Sequence, residues 1–402
     1  RSFSSVTLPA RPAHAGRALA FCEVNMTALL TIVAAILVFG IVVLVHEWGH
    51  FRAARRCGVR VEEFAIGFGP AVWKHTGKDG TLYSIRLLPL GGYNMMAGYI
   101  DPDDLEEDES GRIRVRPDAE SQPPIKKPRG APVLPDAIDG KTYPEATAGQ
   151  RFFIIASGAL MNFVLGFVLL VILVCMQDAI TSKIIYGFSD GALSQQTGLQ
   201  AGDEIVAVNG HYCFTANDIV YELQRTENYT ADFTVMRSGE ITQVPGVQFA
   251  TRTDENGNTT MVLDFTVYGI AKTPKTVIRA AFNNFMYYAR VILRSFVDLV
   301  TGRVGVTELS GPVGIVSAIG TAVSYGLADV LSLAALITVN LGIFNLLPIP
   351  GLDGCKLIFI AIEGVSGHAV PEKVQGAINA AGMILLLLLM VFATFQDVNR
   401  FL

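Results

Sequence analysis

The chain has 402 residues, of which 51% are hydrophobic and 17% are charged, and its formal net charge is −5. This composition predicts a polytopic membrane protein. The basic residues are scattered and no basic patch alternates with aromatic residues, which argues against a nucleic-acid partner. The five cysteines form no Cys-x-x-Cys pair, so they indicate neither a disulfide framework nor a cysteine zinc site.

The first 25 residues do not resemble a secretory signal peptide. Residues 1–25 contain Arg, Ala and Ser but no long apolar stretch. We therefore treat them as a transit-like or added extension outside the fold, with Met26 as the natural start.

Four later stretches are apolar over the length of about 20 residues that a bilayer-spanning helix requires. They are residues 27–45, 152–176, 330–350 and 375–395. A fifth stretch, Leu309–Ala328, is uncharged but rich in Gly, Ser and Thr and contains Pro312, so it is a weaker span that could lie in the interface or re-enter the membrane.

The first span ends in the pentapeptide His46-Glu47-Trp48-Gly49-His50. On a helix, His46 and His50 lie four residues apart on one face and can bind one metal ion, while Glu47 lies beside the bound water. Two histidines and a glutamate are costly in an apolar helix unless they face a cavity and a partner. The pattern therefore predicts a zinc-dependent hydrolase at the membrane.

The distribution of basic residues predicts the orientation of the spans. Arg52, Arg55, Arg56 and Arg60 follow the first span, and this excess places the first loop in the cytoplasm. With four spans, Asp353 at the end of the third span then falls on the same side as His46 and can supply the third protein ligand that a catalytic zinc site needs. Asp353 could instead cap a cytoplasmic helix.

Several motifs carry a resemblance to the site-2 protease family of intramembrane zinc metalloproteases, most closely to its RseP-type bacterial members. The sequence His-Glu-Trp-Gly-His matches the family's HExxH motif, and the segment from Asn345 to Gly354 matches NxxPxPxLDG. Residues 157–162 match the GxxxN element, residues 88–93 match the membrane-associated hairpin, and residues 310–313 match the segment before the third span. The resemblance covers nearly all of the chain from Met26 onward.

The resemblance implies a role for each of the matched polar residues. His46, His50 and Asp353 would bind Zn2+, and Glu47 would be the catalytic base. Asn162, Asn340 and Asn345 would bind the unwound strand of the substrate, although each could instead form a hydrogen bond between helices. Cys355 lies close to the expected metal, so it could make the protein sensitive to oxidation or to thiol reagents.

Three further segments carry weaker predictions. The alternating and then Gly-rich stretch from Thr81 to Ile100 predicts a membrane-associated hairpin that could hold a substrate by strand addition, although it could be an ordinary cytoplasmic hairpin. The segment from Asp101 to Gly140 is acidic as far as Asp118 and then rich in Pro, Lys and Gly, which predicts a solvated linker, with a gate over the active site as the alternative. Residues 274–303 mix aromatic and basic residues as in a helix on the membrane surface, with packing against other spans as the alternative.

A soluble domain is predicted between the second and third spans. Residues 198–210 have the GLxxGDxIxxVNG pattern of a PDZ domain, including a tight Asn-Gly turn. Such a domain accepts a strand or a C-terminus in its groove, or acts as a steric filter without binding peptide. The resemblance implies that it screens substrates already shortened by another protease.

The predicted fold is a polytopic α-helical membrane protein with four transmembrane helices, an inserted extracytoplasmic α+β PDZ domain and a membrane-associated β-hairpin. The predicted segments follow in chain order: a first span with the metal motif at 26–58, a cytoplasmic loop at 59–150, a second span at 151–177, the PDZ domain at 182–270, an amphipathic linker at 274–328, and the third and fourth spans at 329–402.

The predicted function is regulated proteolysis of single-span proteins, of the anti-sigma factor or signal-peptide remnant type, in the lipid bilayer of a bacterial inner membrane. The predicted active site lies near the cytoplasmic side. The alternative function is a non-proteolytic scaffold that recruits partners through its PDZ domain, but a structural zinc site would not need Glu47. A transporter would be expected to show repeated halves, and none is visible.

Overall fold

The computed structural model of the chain describes residues 13–98, 105–107, 113–115, 140–253 and 259–401. The described residues form two compact units. The first unit contains the residues up to Asn162, Gly305–Leu333 and the residues from Phe344 onward. The second unit contains Phe163–Val304 and Ala334–Ile343.

Nine α-helices lie in the described part of the chain. In order they are α1 (Ala13–Arg56), α2 (Ala148–Met176), α3 (Leu193–Gln196), α4 (Ala216–Gln224), α5 (Pro274–Val300), α6 (Pro312–Tyr325), α7 (Leu327–Phe344), α8 (Asp353–Ser366) and α9 (Glu372–Phe401). Helices α1, α2, α7 and α9 contain the described segments that are long and apolar enough to cross a membrane by length and composition. These segments fall on the four predicted spans.

Two of the sequence predictions change at the helix boundaries. Helix α1 begins at Ala13, so residues 13–25 continue into the first apolar span instead of standing apart from it. The third span was predicted to reach residue 350, but α7 ends at Phe344. Pro348 and Pro350 follow within six residues, and proline cannot donate the backbone hydrogen bond that a continuing helix requires.

The weaker fifth candidate forms a helix that is too short to cross a bilayer unaided. Helix α6 has 14 residues, Pro312–Tyr325, against about 20 for a full span. Its first turn is capped from a distant element, because the buried carboxylate of Asp397 on α9 accepts a hydrogen bond from the Gly314 N–H at 2.7 Å. Gly311 and Gly314 both lie against this carboxylate, where a side chain would overlap it.

The first unit contains a hairpin that is longer than the sequence predicted. Its strands are β1 (Val61–Thr76) and β2 (Leu82–Met96), so the first strand begins about twenty residues before the predicted segment. Residues 63–65 are all buried, so this part of the strand lacks the alternation that identifies a strand with one exposed face. Short strands β3 (Leu105–Glu107) and β4 (Ile113–Val115) pair within the acidic segment, most of which lies outside the described residues.

Both hairpin strands bend at glycine, and the bends divide them into four segments. Gly67, Gly69 and Gly91 have positive φ angles of 88°, 83° and 95°, which glycine adopts without steric cost. Residues 61–66 pair with 92–96 in antiparallel register on one side and with 82–85 in parallel register on the other, and residues 71–76 pair with 82–86 in antiparallel register. The segment order is therefore 92–96, 61–66, 82–88 and 71–76, which leaves 92–96 at one edge.

The second unit is built on a mixed α/β core. Its sheet has the strand order β12 (Phe265–Ile270), β5 (Ile180–Phe188), β6 (Glu204–Val208), β8 (Thr230–Arg237) and β9 (Glu240–Gln248), and β7 (His211–Tyr212) pairs with β6. A separate pair joins β10 (Thr251–Thr253) to β11 (Thr259–Met261). Asn209 and Gly210 have φ angles of 49° and 77° between β6 and β7, which confirms the predicted tight turn.

Ion pairs join α4 to α5 within the second unit. Arg290 and Arg294 on α5 bind Asp218 and Glu222 on α4, while Arg225 after α4 binds Asp298 on α5 at 2.7 Å. The three acidic side chains are buried. Two of the three arginines on α5, which forms most of the predicted membrane-surface segment, therefore hold protein carboxylates. The same helix leaves apolar side chains exposed, namely Ile278, Phe282, Leu293, Val297 and Val300.

Candidate active site

The predicted metal motif lies on α1 where this helix packs against α2. His46 and His50 are buried, with 8% and 6% of their surfaces exposed. Gly158 on α2 faces both imidazoles, and a side chain at this position would overlap the ring atoms. Gly49 similarly lies against the backbone of Ser157 on α2. The absence of side chains at these two glycines therefore lets the helices approach closely and leaves room for the histidine rings.

Asp353 joins the two histidines from the start of α8. Its Oδ2 atom lies 3.1 Å from His50 Nε2 and 3.2 Å from His46 Nε2, and the two Nε2 atoms lie 3.1 Å apart. A tetrahedral zinc ion with bonds of about 2.0–2.1 Å has donor atoms separated by about 3.3 Å. The three donors therefore form a triangle of the size that one face of a zinc site requires. Among the described residues, His46, His50 and Asp353 are the group of His, Cys, Asp or Glu side chains close enough together to hold a metal ion.

The outer nitrogens of the two histidines are held by α2. His50 Nδ1 lies 2.9 Å from the Ile154 carbonyl oxygen, so this nitrogen donates its proton and Nε2 presents a lone pair. His46 Nδ1 lies 3.1 Å from Nδ2 of the buried Asn162. Metal binding through His46 Nε2 requires a proton on Nδ1, and Asn162 would accept this proton once its amide is turned over so that Oδ1 faces the ring. The donor set thus fits zinc.

The position of Asp353 depends on a glycine on either side of it. Gly354 packs against the backbone of Leu346 and Leu347, where a Cβ atom would lie 2.8 Å and 2.7 Å from their carbonyl carbons. Gly351 has a φ angle of 89°. The chain therefore folds back closely on the end of α7, and this return places Asp353 at the histidines. Lys356 Nζ lies 3.6 Å from the outer oxygen of Asp353.

Glu47 is fixed beside the donor triangle by the hairpin. Asn94 on β2 donates from Nδ2 to Glu47 Oε2 at 2.7 Å and to the Glu47 carbonyl oxygen at 2.9 Å. Gly92 contacts the side chain of Glu47, since a Cβ atom there would lie 2.8 Å from Glu47 Cγ. The edge segment 92–96 therefore runs directly past the predicted base.

These groups open onto a cavity of about 390 Å³ in the first unit. Its lining includes five polar residues that the sequence analysis did not select: Tyr93, Asn94, Tyr143, Lys356 and Asn379. The only signal for Asn94 and Asn379 is a lone amide within an apolar run. Asn345 is buried after α7 but is not among the lining residues, and Asn340 is exposed on the part of α7 that belongs to the second unit.

A buried carboxylate fixes the hairpin next to this cavity. Glu63 accepts hydrogen bonds from Ser84 at 2.6 Å and Arg86 at 2.8 Å, and it also binds the Tyr93 hydroxyl. Burial alone would raise the pKa of Glu63, but these hydrogen bonds hold its pKa below the ordinary value. Burial and the charge of Glu63 raise the pKa of Tyr93 to about 12, so its hydroxyl remains a donor at neutral pH.

Apolar helices of membrane length and a buried triangle of metal donors beside a glutamate define a membrane metallopeptidase. The comparisons with known proteins agree with this class. Residues 34–389 match the model of Peptidase family M50. The chain is 31% identical to "Zinc metalloprotease RasP" of Geobacillus kaustophilus, over 93% of this chain and 99% of the relative. It is 30% identical to "Probable protease eep" of Enterococcus faecalis, over 92% of this chain and 99% of that relative.

The chain therefore belongs to Peptidase family M50, the site-2 protease family. It is a multi-pass membrane protein and a zinc metalloprotease. The predictions of family, enzyme class and cofactor are confirmed by these relationships.

Proposed function

We propose that the protein cleaves single-span membrane proteins inside the bilayer, with His46, His50 and Asp353 as zinc ligands and Glu47 as catalytic base. The observation that carries this proposal is the triangle of three donor atoms, 3.1–3.2 Å apart, at a cavity that Glu47 also lines. A structural zinc site has no need of an adjacent glutamate and closes its fourth position with a protein ligand.

The chemistry follows from the positions of these side chains. Zinc bound by the three donors would supply a Lewis acid that activates water and polarises a peptide carbonyl. Glu47 would take a proton from the attacking water and return it to the leaving amine nitrogen. Ile154 and Asn162 would keep the histidine rings in the ligating orientation.

The hairpin supports a mode of substrate binding. A helical substrate hides its carbonyl groups in its own hydrogen bonds, so the segment to be cut must unwind. Segment 92–96 is an edge of the bent hairpin and carries Asn94 against Glu47. An unwound substrate that adds to this edge as a strand would bring a carbonyl group to the base. Asn340 and Asn345 remain predicted contacts of the unwound strand, and Asn162 remains one despite its contact with His46.

The second unit supports the proposal of a substrate filter. The PDZ pattern predicts an α+β domain for residues 182–270, and this region contains the strands from β5 to β12, helix α4 and the Asn-Gly turn. We propose that this domain lies outside the cytoplasm and receives substrates already shortened by another protease. The exposed apolar side chains of α5 favour contact of this helix with the membrane surface.

The arginines after the first span favour a cytoplasmic location of the loop that follows it. We therefore propose that the active site lies near the cytoplasmic side of a bacterial inner membrane. Four spans would place Asp353 on the same side as the histidines, in agreement with the donor triangle in the first unit.

The test is cleavage of a model single-span substrate by the purified wild-type protein and by Glu47→Gln, with zinc content measured for both. We expect the wild type to cut, the variant not to cut, and both to hold about one zinc ion per chain. If both bind zinc and the variant cuts as fast as the wild type, Glu47 is not the base. If neither cuts, the scaffold function gains support.

A further inference from the structure

The side chain of Asn94 holds Glu47 by two hydrogen bonds. Its Nδ2 atom donates to the carboxylate oxygen at 2.7 Å and to the carbonyl oxygen of the same residue at 2.9 Å. These two bonds fix both ends of Glu47, because one holds the side chain and the other holds the backbone from which it extends. No part of the metal motif itself provides such a restraint.

The chemistry of the contact fixes the orientation of the amide. If the Asn94 amide were turned over, its oxygen would face two acceptor oxygens of Glu47, which would repel it. The nitrogen must therefore face Glu47, and Oδ1 must face away from it. Oδ1 is buried and has no hydrogen-bond partner among the described residues.

The partners of its side chain argue against a purely structural role for Asn94. Oδ1 accepts from no described protein group, and both bonds that Nδ2 donates go to Glu47. They serve the glutamate rather than the sheet, in which Asn94 pairs with Phe64 through the backbone.

We propose that Asn94 is a positioning residue that aims Glu47 at the reacting water and peptide nitrogen. This inference rests on the proposed role of Glu47 as the base. Asn94 acts together with Gly92, which packs against Glu47 Cγ, so the base is confined by two residues of one edge segment. The same segment is the proposed site of strand addition, so a substrate that shifts this edge also shifts the base.

The magnitude follows from the contribution of a positioned base. General acid–base catalysis typically contributes about 10²–10⁴-fold to the rate. Without Asn94, the Glu47 carboxylate could still accept a proton but would no longer be held in position, so part of this rate contribution should be lost. We therefore expect loss of the Asn94 donor to lower kcat by about 10- to 100-fold.

The test uses Asn94→Asp and Asn94→Leu in the full-length protein, with Lys78→Ala at the exposed hairpin turn as control. Aspartate keeps the shape but places an acceptor oxygen where the N–H donor was, so it repels Glu47, and leucine fills the space without polar atoms. We expect both variants to lower kcat by about 10-fold or more, with KM and zinc content near the wild-type values, and we expect Asn94→Leu to keep an unfolding temperature near that of the wild type. The control should match the wild type in all four measurements.

Other outcomes overturn the inference in identifiable ways. An unchanged kcat in Asn94→Asp would refute a positioning role, and an increase in KM alone would make Asn94 a binding residue. Loss of zinc or a lower unfolding temperature in both variants would make its role structural. Glu47→Gln, measured in parallel, separates this inference from the proposed function: an active Glu47→Gln variant defeats both, whereas an inactive one with fully active Asn94 variants defeats only the inference.

Discussion

Gly158→Ala tests whether the approach of α1 and α2 creates the metal site. A Cβ atom at position 158 would lie 2.6 Å from His50 Cε1 and 2.8 Å from His46 Cε1, and closer still to His50 Nε2. Carbon atoms in favourable contact are separated by about 3.5–4.0 Å. The methyl group must therefore push both imidazole rings, the helix, or both, by roughly 1 Å, which is the shortfall from that contact distance.

Such a displacement is large for a zinc site. Metal–ligand distances are satisfied only within about ±0.2 Å, and even changes to groups that merely support the ligands cost about 10- to 100-fold in affinity or activity. Since Gly158→Ala displaces two proposed ligands at once, we expect zinc affinity to fall by more than about 100-fold and proteolysis to be lost. Helix formation should not suffer, because alanine is favoured over glycine in a helix by about 0.5–1 kcal/mol.

The assay is competition for zinc between a chelator and the purified variant, together with cleavage of a single-span substrate. Gly149→Ala on the same helix is the matched control, because a Cβ atom there meets nothing within 4 Å. The control should bind zinc and cut as the wild type does. Wild-type zinc affinity in Gly158→Ala would show that the imidazoles do not bind a metal in the arrangement described here.

Three other predictions concern stability. Asp397→Ala removes the acceptor for the Gly314 N–H and should lower the free energy of unfolding by about 1–3 kcal/mol, measured by denaturation in detergent. Asp218→Ala leaves the partly buried Arg290 without its carboxylate and should cost about 3–5 kcal/mol; an unchanged unfolding midpoint would contradict this. The ionised Glu63 contributes stability that is complete above the ordinary glutamate pKa and is lost as the pH falls through its lowered folded-state pKa. Hydrogen-exchange protection of the hairpin should therefore decrease in acid, and Glu63→Gln should remove this dependence.

The local part of the fold could be predicted because it depends on local composition. Apolar runs of sufficient length gave the positions of the four membrane-length helices, and the Asn-Gly dipeptide gave the turn after β6. The boundaries were less accurate. Helix α7 ends before Pro348 and Pro350. The sequence prediction extended the span through these prolines because most residues from Phe344 to Pro350 are apolar.

The hairpin shows where local patterns fail. Its four segments pair across as many as 35 residues, as with Val61 and Met96. The periodicity of one segment does not reveal its partner, and the bends at positive-φ glycines interrupt the alternation that identifies a strand. The predicted segment consequently covered the second strand and missed the first.

The candidate site divides in the same way. The sequence by itself determined the types and spacing of the metal donors on α1, since His46 and His50 share a helical face wherever that helix lies. Only the tertiary structure decided that Asp353, 303 residues after His50, lies 3.1 Å from it. It alone decided that Asn94 binds Glu47 and that Gly158 makes room for the imidazoles. These contacts depend on close packing between distant segments, which sequence spacing does not encode.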